Sequence, residues 1–182
     1  MEEYGSGSTP RVRRLARGVV WELITVLLPA LAITLLLNAY VVGAVEVEDG
    51  PSMQPNLYEG YRVITEKVSY RFHAPRRGDI VIAARPGQEW LIKRAMALPG
   101  EVVEVRGGHT YIDGLPVEEP WVTYFGGPDY PPTMVPPDHV FILGDSRGSS
   151  RDSRLFGPVP LERIKGHAWM VYWPLDEIKL LR

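Results

Sequence analysis

Ser52 lies in the stretch Asp49-Gly50-Pro51-Ser52-Met53-Gln54-Pro55-Asn56-Leu57, directly after a long apolar run. Gly50 and Pro51 restrict the backbone before it and Pro55 blocks a regular helix soon after, so the stretch predicts a hydroxyl presented on a defined, irregular turn. An ordinary turn serine, bonded to its own backbone, has the same surroundings. The stretch is not a G-x-S-x-G strand-to-helix elbow, because Gln54 stands at the second Gly position. If Ser52 is a nucleophile, the group that takes its proton comes from elsewhere in the chain.

The four histidines, at 73, 109, 139 and 167, each stand beside a loop or a strand end, outside any triad context, and read as surface or packing residues. Lys93 is set differently, in Leu91-Ile92-Lys93-Arg94-Ala95-Met96-Ala97-Leu98, whose apolar residues could strip water from an ammonium group. An ordinary lysine is neutral in only about one molecule in 2,500 at pH 7. Burial that lowers its pKa by about three units costs about 4 kcal/mol and makes a general base available. The competing reading is an edge-strand charge that deters aggregation. The Gly144 to Arg154 loop, with Asp145, Asp152, Arg147, Arg151 and Arg154, reads by itself as a solvated, self-neutralising turn. It has no metal-ligand spacing.

Composition narrows the chemistry. The 182 residues include no Cys, which excludes thiolate zinc sites, disulfide frameworks and a cysteine nucleophile. A net charge of -2 gives no global reason to expect nucleic acid. With 17 Pro and 18 Gly the chain predicts turns and short strands and not a helix bundle.

The elements that must hold these residues begin with a Gly/Ser-containing tail and a basic cluster at Arg11, Arg13, Arg14 and Arg17. From Leu23 to Val45 there is no charge; these 23 residues reach about 34 Å as a helix, against about 30 Å of bilayer hydrocarbon. The arginines before the span place the N-terminus in the cytoplasm, with Glu46, Glu48 and Asp49 on the other side. A cleaved signal peptide is the alternative, since Val42-Gly43-Ala44 resembles a small-residue cleavage pattern, but the apolar run is longer than a secretory one. The expected organisation is a cytoplasmic basic tail over 1–18, a transmembrane anchor over 19–47 and an extracytoplasmic domain over 48–182. Seven residues separate Val45 from Ser52, so an extended tether keeps the hydroxyl within roughly 25 Å of the span's end.

Beyond Ser52, strands are predicted at Tyr61 to Thr65, Asp79 to Ala83, Trp90 to Leu98, Val140 to Leu143 and Ala168 to Trp173. A hairpin joins Glu101 to Val105 with Thr110 to Ile112 across Gly107-Gly108. Glu118 to Pro137, with Trp121, Tyr124, Phe125 and Tyr130, reads as a long aromatic loop, packed on the surface or touching a membrane interface.

Three stretches together resemble the bacterial type I signal peptidases: Gly50 to Leu57, Ile92-Lys93-Arg94-Ala95-Met96-Ala97-Leu98-Pro99-Gly100-Glu101, and Gly144 to Pro160. Their order after a single anchor, together with Arg77-Gly78-Asp79-Ile80-Val81, extends the resemblance from about residue 19 over nearly the whole chain. The resemblance implies a mainly β, antiparallel catalytic domain and a membrane-bound serine endopeptidase acting through a Ser52/Lys93 dyad without metal or organic cofactor. It implies that Ser150 orients the lysine and that Asp145, Asp152 and Arg154 hold the loop. Its implied partners are the lipid bilayer and secretory preproteins with small residues before the cleavage site, and no nucleic acid. Met53 and Ile92, flanking the dyad, are the candidates to line the substrate pockets. Two positions depart from the family pattern. Gly50 replaces a hydroxyl residue that some members carry, leaving only a backbone N–H there, and Ser146 stands where the loop usually has Asn.

Two other readings remain at this level. A Ser/Lys self-cleaving repressor needs a helix-turn-helix ahead of the peptidase, where this chain has an apolar span. A catalytically inactive, anchored protein on the same scaffold would dock exported chains along a sheet edge.

Overall fold

A computed structural model describes residues 10–84 and 90–181. It divides into two compact units, one ending at Tyr40 and one beginning at Val41.

The first unit is the helix α1 (Pro10–Tyr40). Within it Trp21–Tyr40 form a 20-residue stretch of mean hydropathy 2.1, about 30 Å long and enough to cross bilayer hydrocarbon. Its Trp, Leu, Ile and Val side chains are exposed. Thr34 turns its hydroxyl back onto the Ala30 carbonyl at 2.8 Å, which satisfies a polar group from within the helix.

The second unit is antiparallel β. Its strands are β1 (Val42–Glu46), β2 (Arg62–Glu66), β3 (Ile80–Ala84), β4 (Trp90–Ala97), β5 (Val102–Arg106), β6 (His109–Ile112) and β7 (Leu115–Pro116). They continue with β8 (Tyr130–Met134), β9 (His139–Leu143), β10 (Val159–Pro160), β11 (Ile164–Trp173) and β12 (Lys179–Leu180), with a one-turn helix α2 (Ser153–Phe156) before β10. The larger sheet runs β1-β2-β11-β3-β4-β9-β10, with β12 on β11; the smaller runs β7-β6-β5-β8.

The long apolar run of the sequence therefore does not continue as helix to Val45. The helix stops at Tyr40, and Val42 to Glu46 pair in register with Glu66 to Arg62 of β2. An apolar run looks the same in lipid and in a sheet; the β-branched valines at its end find an edge strand waiting for them. Ser52 accordingly follows a strand anchored in the sheet and not a free tether.

Strand alternation builds the core. Ile80 and Ile82 of β3 pack with Met53, Leu57, Val63, Ile92 and Val171, while Val81 and Ala83 pack with Leu91, Ala95, Val140 and Ile142. Met96 and Ala97 of β4 and Phe141 and Leu143 of β9 close on Val103, Val105 and Ile112 of the smaller sheet. β4 thus contributes to all three clusters and is an interior strand, which removes the edge-charge reading of Lys93. The predicted strands are all present. The expected loop from Glu118 to Pro137 contains β8, whose Pro131 and Pro132 sit in a strand at the edge of the smaller sheet, where missing N–H groups are tolerated.

Candidate active site

Pro51 starts a single 3₁₀ turn, Gly50–Met53, and Gly50 enters it at φ +55°, a conformation that suits glycine. Gln54 N–H closes the turn on the Pro51 carbonyl at 3.1 Å. The turn buries Ser52 and drives Met53 into the core, so the hydroxyl faces β4.

β4 brings Lys93 to it. The lysine is fully buried opposite Val81 of β3, and its Nζ lies 3.0 Å from Ser52 Oγ. Nζ also donates to the Ile92 carbonyl at 3.1 Å and to the carboxylate of Asp49. An ammonium has three protons, and these three acceptors use all of them. Ser52 Oγ in turn donates its one proton to Asp49 Oδ2 at 3.0 Å. The sequence reading surrounds the lysine with apolar groups alone; the structure supplies that burial and adds a carboxylate against the amine.

On its other side Ser52 is tied to the loop after β9. Its carbonyl accepts from Ser146 N–H at 3.0 Å. Far from being a solvated turn, this loop is largely buried and held by charged pairs inside the protein. Asp145, fully buried, receives Arg94 Nε and Nη2 at 2.8 and 2.7 Å and Asn56 Nδ2 at 2.8 Å. One carboxylate thereby joins the residue after Lys93 to the turn that carries Ser52. Asp152 accepts from Gly144 N–H at 3.0 Å and from Arg154 Nε at 2.8 Å. Arg154 continues to the Arg147 carbonyl at 2.6 Å, and Arg147 pairs with Glu119 and reaches the Gly108 carbonyl at 2.6 Å.

These pairs are buried with additional hydrogen bonds, the condition under which ionic groups are tolerated in a core. Their effect is geometric: each fixes one strand or turn relative to the next.

Of the residues expected at the site, Ser52 and Lys93 meet, and Asp145, Asp152 and Arg154 bind the loop beside them. Ser150 is buried, but among the described residues its hydroxyl has no hydrogen-bond partner and does not bond the lysine. Leaving such a group unpaired costs about 1–3 kcal/mol. Met53 and Ile92, 1% and 2% exposed, belong to the core beneath the dyad. Sequence reasoning missed Asp49, Asn56, Arg94, Glu119 and Arg147. Asp49 stands three positions before Ser52 in the same Gly/Pro-bounded stretch, and Arg94 directly follows the lysine; the signal lies in those positions, the partners in the fold. Among the described residues no cluster of three His, Asp or Glu side chains could hold a metal ion.

The β9 pairing of β4 covers Arg94, Ala95 and Ala97 and goes no further toward Trp90. The stretch Trp90 to Lys93 therefore has backbone groups on its β9 side outside the ladder, next to the hydroxyl. A cleft lined by Ala44, Val45, Glu46, Glu48 and Trp90 opens beside its start.

A serine oxygen in contact with a buried lysine, on a locked turn, is an arrangement for attack on a carbonyl carbon. Known proteins resemble this chain over most of its length. Residues 20–173 match the family model described as signal peptidase, peptidase S26. The protein named "Probable signal peptidase I-1" in Synechocystis sp. is 39% identical over 163 residues, covering 84% of this chain and 82% of its own. Signal peptidase I of Leptolyngbya laminosa is 41% identical over 138 residues, 70% of this chain and 67% of its own. Thylakoidal processing peptidase 1 of Arabidopsis thaliana is 38% identical over 139 residues, 70% of this chain and 41% of its own.

Proposed function

The chain belongs to the signal peptidase family, peptidase S26, and we propose that it removes N-terminal signal peptides from exported preproteins with Ser52 as nucleophile and Lys93 as general base. The observation that carries this reading is the 3.0 Å contact between Ser52 Oγ and the buried Lys93 Nζ.

Oγ attacks the scissile carbonyl carbon as an uncharged Lys93 takes its proton. The proton then passes to the leaving amine, the mature protein departs, and the signal peptide stays as an ester on Ser52. Lys93 next takes a proton from water, which hydrolyses that ester. The Ser52 N–H makes only a 3.4 Å contact with the Asp49 carbonyl, longer than a normal N–H···O bond, so it can turn to the developing oxyanion. One such donor is worth about 3 kcal/mol of barrier.

An extended substrate segment pairs with the open backbone edge of Trp90 to Lys93. Met53 and Ile92, buried in the core, support the site from beneath and do not reach its surface, so the selection of small residues before the scissile bond falls to the shallow surface above them. α1 anchors the protein in the cytoplasmic (plasma) membrane. The arginines at 11, 13, 14 and 17 keep the N-terminus inside, and the β unit works on the outer side.

The test is purified full-length protein in detergent with a precursor carrying an A-x-A cleavage site. The wild type yields a shortened product whose N-terminus follows that site, and Ser52→Ala yields none. Binding of the precursor without any shortened product defeats the proposal and leaves an inactive docking protein.

A further inference from the structure

The mechanism above has no use for Asp49, yet its carboxylate touches both members of the dyad. Its contacts set the site against the reaction. Lys93 Nζ is in contact with Asp49, Ser52 Oγ and the Ile92 carbonyl, three acceptors that suit the three protons of an ammonium. The Ser52 proton points at Asp49 Oδ2 and not at the lysine. Across Gly144 from Ser52, the buried Ser150 hydroxyl goes without a partner: a Cβ on Gly144 would lie 2.2 Å from Ser150 Oγ and 2.5 Å from the Ser52 carbonyl. A hydroxyl on this side of the site is thus idle, among the described residues, while Asp49 is engaged.

We propose that Asp49 is a positioning residue that holds the resting site in a non-reacting arrangement, with Lys93 as an ammonium and the Ser52 hydroxyl turned away, and that its release frees the amine to act. This rests on the Ser52/Lys93 reading. On release the surplus Nζ proton passes to solvent, the Ser52 O–H swings toward the vacated lone pair, and Lys93 turns toward Ser150. Asp49 can leave because its side chain is 27% exposed and makes no capping bond to its own turn.

Other charges about Lys93 are otherwise engaged. β3 faces it with Val81. Asp145 is held by Arg94, Asp152 by Arg154, and Glu119 by Arg147. Glu46 of β1 pairs with Arg62 of β2, and Glu48 lines the cleft beside Trp90.

The test is kcat/KM against pH for the full-length wild type, Asp49→Asn and Asp49→Ala on an A-x-A precursor. Ser52→Ala and Lys93→Met serve as blanks. With the carboxylate gone, the acidic limb of the profile moves to lower pH by about one unit or more in both variants. Activity one unit below the wild-type midpoint then rises about five- to tenfold. A limb that stays in place or moves to higher pH overturns the proposal, whatever the maximal rate, since a merely structural role scales the whole profile. A second readout needs no variant: the ¹³Cε shift of Lys93 in the resting wild type reports an ammonium at neutral pH, and an amine signal there overturns it. If the two blanks retain activity, the dyad reading itself has failed. If they are dead while the Asp49 limb stays put, this inference alone has failed.

Discussion

Gly144 and Ser52 approach so closely that a β-carbon on Gly144 would stand 2.5 Å from the Ser52 carbonyl oxygen. With Ser146 N–H bonded to the same oxygen, the turn that carries Ser52 and the loop after β9 are held against each other. Gly144→Ala forces them apart. Displacement of a reacting group by about 1 Å costs on the order of 100-fold, so kcat/KM for precursor cleavage falls by about that factor while the far-UV circular dichroism stays that of the wild type. Unchanged kcat/KM would show that this approach is not required.

Arg94 and Asp145 form a buried, doubly hydrogen-bonded pair. Arg94→Ala leaves the Asp145 charge in the core with Asn56 as its remaining side-chain partner among the described residues. Urea unfolding of the β unit is expected to show a loss of about 3–5 kcal/mol. A loss below 1 kcal/mol would place the pair in the same class as an exposed ion pair.

Ser150→Ala separates stability from rate. Among the described residues the hydroxyl has no hydrogen-bond partner, so its removal leaves unfolding free energy unchanged or raises it by up to about 1 kcal/mol. On the proposed release of Asp49 the lysine turns to Ser150, so the variant's kcat is expected to drop. A destabilised variant with wild-type kcat would contradict both halves.

Glu66 gives an acid-side dependence. Burial pushes its carboxyl up, but Ser69 and Val68 N–H groups, at 3.0 and 3.1 Å, and the charge of His167 outweigh it and hold the group below the ordinary carboxylate value. The depressed value means that its stabilisation is complete above the ordinary carboxylate range and disappears as pH falls through the lower, folded value. Glu66→Gln should flatten the Tm-versus-pH curve on the acid side and lower the plateau near neutrality. A curve parallel to the wild type would show that Glu66 makes no such contribution.

Much of this was legible from residue types. β3 reads as a strand because Ile80, Val81, Ile82 and Ala83 feed two core clusters by turns, and a buried strand needs apolar residues on both faces. Ser52 and Lys93 could be singled out because proline, glycine and apolar neighbours mark positions where a polar group is unusual. The end of α1 was not legible, since Val42 and Val45 suit lipid and sheet alike and only the β2 edge decides. Nor was the burial of the 144–154 loop: five charges in eleven residues look solvated until Arg94, Asn56 and Glu119 arrive from distant parts of the chain to meet them. Asp49 was hidden for the same reason. A carboxylate beside a turn is commonplace, and only the path of β4 brings a lysine to it.

Ser52 and Lys93, as proposed, act as one chemical unit, and the direct measurement is kcat/KM for Ser52→Ala, Lys93→Met and the double variant on the same precursor. The expected result is a loss of about 10⁴-fold or more in each single variant and no further loss in the double. Either single variant retaining a tenth of wild-type activity, or losses that multiply in the double, would contradict it.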